Sequence, residues 1–359
     1  MTFLIAAAGT GGHVFPGLAV GEGLLSLGIP QSDIVYLGGD RLEAEVYPAE
    51  GYRFVKVELA GLKRSLTIDN ARIPGVVMRA RRDIVAEMVA SRVDVVLGMG
   101  GYVTIPVAMA ARKLRLPFFN AEQNAEAGLA NRVTARWARA TFLSFQETGG
   151  LPKGVWVGNP VREPFWEFDR ASLRPEGRAR YGITGELPIV GVFGGSLGSG
   201  LVNEAVARMV SGWQGPPVAV VHLTGERHLE TMEGVDAGPD VHWARIGFEE
   251  RMDLFYAVSD LVVARAGGAV AELTATATPS VLVPGQFGSG GHQTQNARAL
   301  EKVGAGVVVT EESIGDLPGL VTELIADLTR LRAMADATNA IAKPDAARTI
   351  ARAMIGAAK

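Results

Sequence analysis

Two segments of this chain each carry a short apolar run, a cluster of glycines and then a helical pattern, and they open its two halves. The first runs from Phe3 to Pro16 and contains Gly9-Thr-Gly-Gly12 followed by His13. The second joins Ile189-Val-Gly-Val-Phe193 to Gly194-Gly-Ser-Leu-Gly-Ser-Gly200. Glycines between a strand and a helix let the backbone approach a ligand closely, and a helix N-terminus favours negative charge. Each segment alone is also typical of an ordinary strand-to-helix turn, so it is their occurrence in both halves that indicates ligand binding.

Strand and helix patterns alternate along the whole chain. In the first half the strand patterns cover Phe3–Ala8, Ile34–Leu37, Arg53–Val57, Val93–Leu97, Pro117–Asn120, Ala140–Leu143 and Val155–Val157. In the second half they cover Ile189–Phe193, Val218–Leu223, His242–Ile246, Leu261–Ala264, Ser280–Val283 and Gly306–Val309. The first helix is predicted over Gly17–Leu27. Such alternation predicts an α/β fold with parallel sheets covered on both faces.

The length of 359 residues exceeds one average domain, and the composition, 48% hydrophobic and 20% charged, is that of a globular protein. We therefore expect two Rossmann-like doubly wound domains facing a cleft, with ligands beyond the carboxyl ends of the strands. The first domain is predicted over residues 1–160 and the second over residues 161–342. A C-terminal helix, about residues 343–359, is predicted to pack back on the first domain.

Composition excludes several classes of function. The net charge of −3 gives no global indication of nucleic-acid binding, and the absence of cysteine excludes disulfides and thiolate metal sites. No apolar run reaches the roughly 18 residues of a spanning helix, and the N-terminus lacks the basic region of a signal peptide. We expect a cytoplasmic protein that is soluble or lies on a surface.

Other glycine turns and polar groups follow predicted strands. Arg265-Ala-Gly267-Gly268 offers an arginine and backbone N–H groups to an anion, and Glu272 is placed to accept hydrogen bonds from a ribose diol. A solvated helix carboxylate explains Glu272 equally well. His292 and Gln293 begin a helix after a glycine-rich stretch, where amides suit sugar hydroxyls; a polar loop that caps a helix is the alternative.

In the first half, Tyr102 ends the turn Gly98-Met-Gly-Gly-Tyr102, and Glu122 and Asn124 come directly off an apolar strand. Buried polar groups of this kind are costly unless they are paired or functional. All three residues are predicted to lie on the ligand side of the sheet.

Several motifs occur in the order found in one known family. They are AGTGGHVFPGLAV (8–20), VDVVLGMGGYV (93–103), EQN…GLANR (122–132), VGNPVRE (157–163), GGSLGS (194–199), DLVVARAG (260–267) with AEL, and HQTQNA (292–297). On these motifs, essentially end to end, the chain resembles the MurG family of inverting glycosyltransferases. The resemblance implies a GT-B fold, no cofactor and no essential metal ion.

The activity that the resemblance implies is transfer of N-acetylglucosamine from its UDP ester to the 4-hydroxyl of the muramyl-pentapeptide diphospho-undecaprenol lipid. The second domain would hold UDP and the first would receive the lipid diphosphate. The partners would be these two substrates, the cytoplasmic face of the cell membrane as a peripheral site, and other cell-wall synthesis enzymes. No nucleic acid is expected.

Roles are carried over residue by residue. Thr10, Gly11 and Gly12 would line the donor sugar and the acceptor phosphates, and Asn124 would contact the donor sugar. The donor contacts would be made by Arg162 and Ser196 at the diphosphate, Glu272 at the ribose, Gln293 at the sugar hydroxyls and the backbone of Phe248 and Glu249 at the uracil. Further candidate binding residues are Arg265, Gly267, Gly268, His292 and Tyr102.

The acceptor hydroxyl must lose its proton during attack on the anomeric carbon, so a base with a pKa near neutrality is useful. His13 is the candidate base, and Glu122 is either the alternative base or the residue that orients His13. The chain departs from the family pattern at Ala8, Leu197 and His292. Its Arg265–Glu272 segment is one residue short, which leaves the contacts of Gly267 and Gly268 open.

A basic, apolar strip over residues 63–82 is suited to an anionic bilayer surface. We assign the membrane patch to the residues Ile73, Val76, Val77, Met78, Arg79, Arg81 and Arg82. By composition alone an ordinary amphipathic helix against the sheet fits this strip as well.

Three rival functions share these features. A UDP-N-acetylglucosamine 2-epimerase would need acid and base carboxylates but no lipid acceptor. A GT-B transferase would act on another lipid or a natural product. A nucleotide-sugar-binding scaffold would bind without turnover.

Overall fold

A computed structural model describes residues 1–58, 73–195, 197–285 and 291–358 of the chain. The chain divides into two compact units. Unit 1 comprises Met1–Glu163 together with the C-terminal segment from Lys343 onward, and unit 2 comprises Pro164–Ala342. No helix within the described ranges combines the length and the hydropathy that crossing a bilayer would require.

Unit 1 is built on a parallel sheet. Among the described residues its seven strands are β1 (Thr2–Ala6), β2 (Ile34–Gly38), β3 (Arg53–Lys56), β4 (Val93–Gly98), β5 (Phe118–Glu122), β6 (Thr141–Leu143) and β7 (Gly154–Trp156). Their order across the sheet is β3-β2-β1-β4-β5-β6-β7, and every pairing is parallel. The chain therefore winds outward in both directions from the β1–β4 pair, where Ala6 lies opposite Gly98.

The helices that connect these strands in the described residues are α1 (Gly11–Ser26), α2 (Glu43–Ala49), α3 (Ile73–Ala90), α4 (Thr104–Leu114) and α5 (Leu129–Thr134). The predicted start of the first helix at Gly17 is wrong, because α1 begins at Gly11. Glycine and proline weaken a helix interior, which made the pattern before Pro16 look like a loop. The first N–H groups of a helix have no partner inside it, so low-propensity residues cost less there.

Unit 2 repeats the same winding. The strands found among its described residues are β8 (Ile189–Phe193), β9 (Val218–Leu223), β10 (Val241–Ile246), β11 (Leu261–Ala264), β12 (Ser280–Leu282) and β13 (Gly306–Val308). They are all parallel, in the order β10-β9-β8-β11-β12-β13. The prediction of two doubly wound α/β units is confirmed.

The described helices of unit 2 are α6 (Arg170–Arg180), α7 (Gly200–Ser211), α8 (Leu229–Glu233), α9 (Met252–Val258), α10 (Ala269–Ala275), α11 (His292–Lys302), α12 (Leu317–Ala326) and α13 (Leu328–Ala340). On α7 the apolar residues Val202, Val206 and Met209 are buried against the sheet. This spacing of three and four residues places them on one face of the helix.

A last helix, α14 (Ala346–Ala357), belongs to unit 1 and packs on α1. Its side chains Ile350 and Met354 are fully buried in the same cluster as Phe3 and Leu18. The two helices approach so closely that a Cβ atom at Gly23 of α1 would lie 2.9 Å from the carbonyl oxygen of Ala347. Fully burying one such aliphatic side chain contributes about 1.5–3 kcal/mol, so α14 is an integral part of the unit 1 core.

The topology places one switch point in each unit. In a doubly wound sheet the crevice opens where the winding reverses, beyond the carboxyl ends of the two central strands. In unit 1 these strands are β1 and β4, and in unit 2 they are β8 and β11. Each glycine-rich turn that the sequence singled out therefore lies at the switch point of its own unit.

Candidate active site

The turn after β1 leads directly into the N-terminus of α1. Thr10 is the residue before the first helical turn, and Gly11, Gly12 and His13 form that turn. The carbonyl of Thr10 accepts hydrogen bonds from the N–H groups of His13 (3.0 Å) and Val14 (3.2 Å). The N–H groups of Gly11 and Gly12, at the start of the helix, are oriented outward along the helix axis, which suits an anion such as a phosphate.

The imidazole of His13 lies against the turn after β4. A Cβ atom at Gly100 would lie 3.2 Å from Nε2 of His13 and 3.4 Å from Nδ2 of Asn131. Gly100 has a φ of +87°, a conformation that glycine adopts without strain. Because Gly100 has no side chain, the imidazole of His13 and the side-chain amide of Asn131 can both lie close to it, just after the end of β4.

Glu122, at the end of β5, is buried and its carboxylate is fully engaged. Oε1 accepts from the backbone N–H and the side-chain amide of Asn124, each at 3.1 Å. Oε2 accepts from the N–H of Gly128 at 2.8 Å and from the amide of Asn131 at 2.9 Å. Since a carboxylate offers about four acceptor directions, these donors occupy it. The geometry therefore favours Glu122 as a residue that orients its neighbours rather than as a base.

Sequence reasoning missed Glu43, a second buried carboxylate of unit 1. Its Oε2 accepts from the N–H of Gly9 at 3.0 Å, and its Oε1 accepts from the N–H of Gly39 at 2.9 Å. The hydroxyl of Tyr102 lies near this carboxylate, beside Gly39; burial raises the pKa of Tyr102, and the charge of Glu43 adds to this effect. The available signal was the Gly38-Gly39 pair at the end of β2, which marks a close approach of neighbouring groups.

Arg162 is committed within unit 1, which differs from the predicted contact with a diphosphate. Its Nε donates to Glu22, and its Nη2 pairs with Glu50 at 3.2 Å. Burial raises the pKa of Glu22 despite the pairing. Burial works to lower the pKa of Arg162, but the charges and hydrogen bonds of Glu22 and Glu50 together raise it. A diphosphate could reach this guanidinium only if these pairs were broken.

The switch point of unit 2 opens into a cavity of about 620 Å³. It is lined by Phe193, Gly194, Gly195, Gly198, Ser199, Gly200, Leu201, Arg265, Gly267, Gly268, Ala269, Gly285, Gln293 and Glu311. This volume is within the range of small-molecule sites, about 300–1,000 Å³. Four residues predicted from sequence are thus brought together here, namely Arg265, Gly267, Gly268 and Gln293. Their role in binding stays a prediction.

Arg265 follows β11 and is the cationic side chain in the cavity lining. Its guanidinium donates to the carbonyl of Val283 at 3.1 Å and to the hydroxyl of Ser199 at 2.9 Å. It also forms an ion pair with Glu311 at 2.7 Å. Ser199 precedes the first turn of α7, so Arg265 fixes the start of that helix. Ser199 and Glu311 were not identified from the sequence, because only the fold brings them to Arg265.

The glycine-rich turn after β8 is locked to the end of β9. Gly198 has a φ of +74°, and a Cβ atom there would lie 2.1 Å from the carbonyl oxygen of Thr224. The same carbonyl accepts from the amide of Asn203 at 2.9 Å. Oδ1 of Asn203 lies 3.0 Å from Nε2 of His222, which must carry the proton because an amide oxygen only accepts. This buried chain fixes one wall of the cavity.

The start of α11 contributes one of its two predicted residues to the cavity. Oε1 of Gln293 accepts from the N–H of Gly285 at 2.8 Å. Its amide nitrogen lies 3.9 Å from the position of a Cβ atom at Gly267, so it reaches the lining. His292 is absent from the described lining residues of this cavity.

Other predicted donor contacts lie elsewhere in unit 2. Glu272 accepts from the hydroxyl of Tyr256 at 2.9 Å; burial raises the pKa of that tyrosine, and Glu272 adds to the effect. The Glu249 side chain is buried and pairs with Arg180 at 2.8 Å through both oxygens, whereas Phe248 is exposed. Burial would raise the pKa of Glu249, but its hydrogen bonds lower it. The Glu249 side chain is thus structural, which leaves its backbone for a ligand.

Some predicted residues lie outside the described part of the chain or are only partly exposed. Ser196, residues 63–72 and the side chain of Ile73 are outside it. On α3, Met78, Arg79 and Arg82 are exposed, whereas Val76, Val77 and Arg81 are half-buried. Val76 packs against the core of unit 1, so the predicted membrane patch is divided between core and surface.

The sequence matches two family descriptions in succession along the chain. The glycosyltransferase family 28 N-terminal domain matches residues 3–143, and the glycosyltransferase family 28 C-terminal domain matches residues 189–350. A protein of Mycobacterium sp. (strain KMS) is 37% identical over 100% of this chain and 96% of its own length. That relative is named UDP-N-acetylglucosamine–N-acetylmuramyl-(pentapeptide) pyrophosphoryl-undecaprenol N-acetylglucosamine transferase.

Solved structures agree with this assignment. MurG of Acinetobacter baumannii superposes with a TM-score of 0.80 at 25% identity, covering 99% of this chain and 100% of that one. A UDP-GlcNAc 2-epimerase from Neisseria meningitidis, solved with UDP-GlcNAc, has a TM-score of 0.66 at 14% identity, covering 99% of this chain and 100% of that one. The epimerase likeness concerns the fold alone, whereas the full-length relatives define the family. The chain belongs to glycosyltransferase family 28 and, within it, to the MurG family.

Proposed function

We propose that this chain transfers N-acetylglucosamine from UDP-N-acetylglucosamine to the 4-hydroxyl of the muramyl-pentapeptide diphospho-undecaprenol lipid, a step of peptidoglycan synthesis. The carrying observation is that each unit places a glycine-rich turn at its own switch point, in a chain that matches the family over its full length. Two such turns suit a reaction with two phosphate-bearing substrates.

The donor is assigned to the cavity of unit 2. The turn after β8 and the start of α7 supply backbone N–H groups, and Arg265 supplies a positive charge in the same cavity. These groups suit the diphosphate of a nucleotide sugar, and Gln293 suits its sugar hydroxyls. We assign Arg265 to stabilising the leaving diphosphate, because it lines this cavity and Arg162 is absent from the described lining residues. The ion pair of Arg265 with Glu311 must open to admit the diphosphate.

The acceptor is assigned to the loops of unit 1 around Thr10, Gly11 and Gly12. In the transfer step the acceptor oxygen forms a bond to the anomeric carbon while the bond from that carbon to UDP breaks. The acceptor proton goes to His13, and UDP leaves as an anion. Glu122 holds the side-chain amides of Asn124 and Asn131, and the Asn131 amide lies near the His13 imidazole at Gly100.

A peripheral location on the cytoplasmic face of the cell membrane is part of this proposal, since the acceptor is a lipid. Met78, Arg79 and Arg82 on the exposed side of α3 support it, because basic and apolar groups together bind anionic bilayers. Other cell-wall synthesis enzymes are proposed as further partners on the same surface.

The reaction is tested with radiolabelled UDP-N-acetylglucosamine and the muramyl lipid, following the label into the lipid phase. Label in the lipid that depends on both substrates supports the transferase. Formation of the 2-epimer without acceptor would assign the chain to the epimerases instead. Unchanged donor with no product, but with measurable UDP binding, would leave only a binding role.

Membrane binding is tested by co-sedimentation with anionic vesicles. Changing Arg79 and Arg82 to Glu is expected to reduce the bound fraction, and the reduction should disappear at high salt. The matched control carries Arg208→Glu and Arg332→Glu, which make the same charge change at exposed positions of unit 2. Equal loss of binding in both variants would show that net charge, rather than α3, governs the interaction.

A further inference from the structure

We propose that Glu43 is a positioning residue that holds the acceptor loop of unit 1, Gly9–Gly12, in register with the Tyr102 turn. This inference rests on the proposed function, because it assigns a role in acceptor binding to a residue outside the reacting groups. Glu43 is the first residue of α2 and its side chain is fully buried.

The bonding of Glu43 connects three chain segments. Its carboxylate accepts from Gly9 after β1 at 3.0 Å and from Gly39 after β2 at 2.9 Å, and the hydroxyl of Tyr102 in the turn after β4 approaches the same point at Gly39. β2, β1 and β4 are neighbours in the sheet, so these segments leave the same edge side by side. A buried carboxylate is costly unless it is paired, and here backbone donors of two separate loops supply the pairing.

Glu43 packs closely against two glycines, Gly38 and Gly39. A Cβ atom at Gly39 would lie 2.2 Å from the hydroxyl oxygen of Tyr102 and 3.1 Å from Oε1 of Glu43. A Cβ atom at Gly38 would lie 2.6 Å from Cγ of Glu43 and 2.9 Å from the carbonyl oxygen of Ala7. The two glycines thus create the space into which the carboxylate and the phenol enter.

The position of Gly9 matters because it immediately precedes Thr10 and the first turn of α1. Moving Gly9 would therefore move the N–H groups of Gly11 and Gly12 and the side chain of His13. The Tyr102 turn also contains Gly100, against which the His13 ring lies. Through Glu43, the loop proposed to bind the acceptor phosphates and the turn that contacts the proposed base share one anchor.

Glu43→Gln tests this arrangement with little change in volume. The glutamine side chain has one acceptor oxygen where the carboxylate has two. Its NH2 group would therefore face the N–H of either Gly9 or Gly39, and one of these two hydrogen bonds would be lost. We expect the KM for the lipid acceptor to rise about tenfold or more and kcat to fall less, while the KM for UDP-N-acetylglucosamine and the affinity for UDP change less than about twofold. Tyr102→Phe, which removes the hydroxyl beside the carboxylate, should have a smaller effect of the same kind.

The matched control is Asp94→Asn. Asp94 also accepts a backbone N–H, that of Thr2 at 2.8 Å, but at the amino end of β1, on the opposite edge of the sheet. This variant is expected to lose stability without changing the KM for either substrate. If Asp94→Asn and Glu43→Gln had the same kinetic pattern, Glu43 would be a general fold-stabilising residue and the proposal would be wrong.

Hydrogen exchange tests the role of Glu43 independently of the proposed transferase activity. In Glu43→Gln the peptide covering residues 8–16 should exchange faster, while α14 keeps its protection; in Asp94→Asn this peptide should not be selectively affected. Wild-type protein that transfers no sugar would refute the proposed function. Active wild-type protein together with a Glu43→Gln variant of unchanged exchange and unchanged acceptor KM would refute only the role of Glu43. Should Glu43→Gln not fold, Tyr102→Phe provides the same two readouts.

Discussion

The side-chain amide of Asn131 donates to Oε2 of Glu122 over 2.9 Å, which ties the first turns of α5 to the end of β5. The same carboxylate holds Asn124 and the N–H of Gly128. Two candidate bases are thereby distinguished by their surroundings. The carboxylate oxygens of Glu122 are occupied by four donors, whereas His13 lies on the first turn of α1 beside the β4 turn.

We predict that His13→Gln lowers kcat by about 10²–10⁴-fold and removes the acidic limb of the pH profile of kcat/KM, because an imidazole titrates between about pH 5 and 8. Glu122→Gln should also lower the rate, since an amide cannot accept from all the present donors, but it should keep the acidic limb. pH–rate profiles of the two variants and the wild type test this. If only Glu122→Gln lost the acidic limb of the pH profile, Glu122 would be the base and His13 would not.

Arg162→Ala is expected to act on stability rather than on donor binding. It leaves Glu22 half-buried without its partner, which should cost about 2 kcal/mol of unfolding free energy. The KM for UDP-N-acetylglucosamine should change less than about threefold. Urea unfolding and steady-state kinetics measure the two effects. A rise of KM of tenfold or more (about 1.4 kcal/mol) without loss of stability would support the diphosphate contact instead.

Gly198→Ala should abolish high-affinity UDP binding. The substitution puts a Cβ atom 2.1 Å from the carbonyl oxygen of Thr224 at a φ of +74°, so the turn that lines the cavity must move. Titration calorimetry with UDP is expected to show at least about a tenfold weaker Kd. Gly234→Ala is the control, since a Cβ atom there has no described neighbour within 4 Å. Equal UDP affinity of the Gly198 variant and the wild type would disprove the assignment of this cavity to the donor.

His222 should make unit 2 sensitive to acid. Burial lowers the pKa of His222 from 6.5 to about 4, so below pH 6.5 the unfolded chain binds a proton that the folded protein does not. Stability is therefore fully present above pH 6.5 and is lost as the pH falls towards 4, by up to about 3 kcal/mol. His222→Gln, which keeps a donor for Asn203, should show a smaller loss between these pH values in urea unfolding. An equal loss in both proteins would assign the acid sensitivity to other groups.

Most strands were predictable because they are short apolar runs that end at a glycine or a polar residue, whereas β3 and β10 contain charged residues and are only partly buried. Phe3, Leu4, Ile5 and Ala6 are all buried, with Phe3 and Ile5 in one hydrophobic cluster and Leu4 and Ala6 in another. A strand covered on both faces carries apolar residues at every position, so it is visible in sequence without alternation.

The start of α1 and the pairing of Arg162 were not predictable from local pattern. Helix propensity argues against Gly11 and Gly12 as helical residues, and the structure overrides it because their N–H groups need no intrahelical partner. Arg162 and Glu22 are 140 positions apart, so no sequence window contains both. The loops that bear the candidate site and the carboxylate of Glu122 could be located from the sequence, but Glu43, which holds Gly9, could not.

The return of α14 to unit 1 has a consequence for how the chain folds during synthesis. Unit 1 lacks Ile350 and Met354, which are fully buried in it, until all of Pro164–Ala342 has been translated. At about 5–20 residues per second this interval lasts roughly 10–35 s. Throughout that time the face of α1 that α14 covers is open to water, and to any chaperone that binds apolar surface.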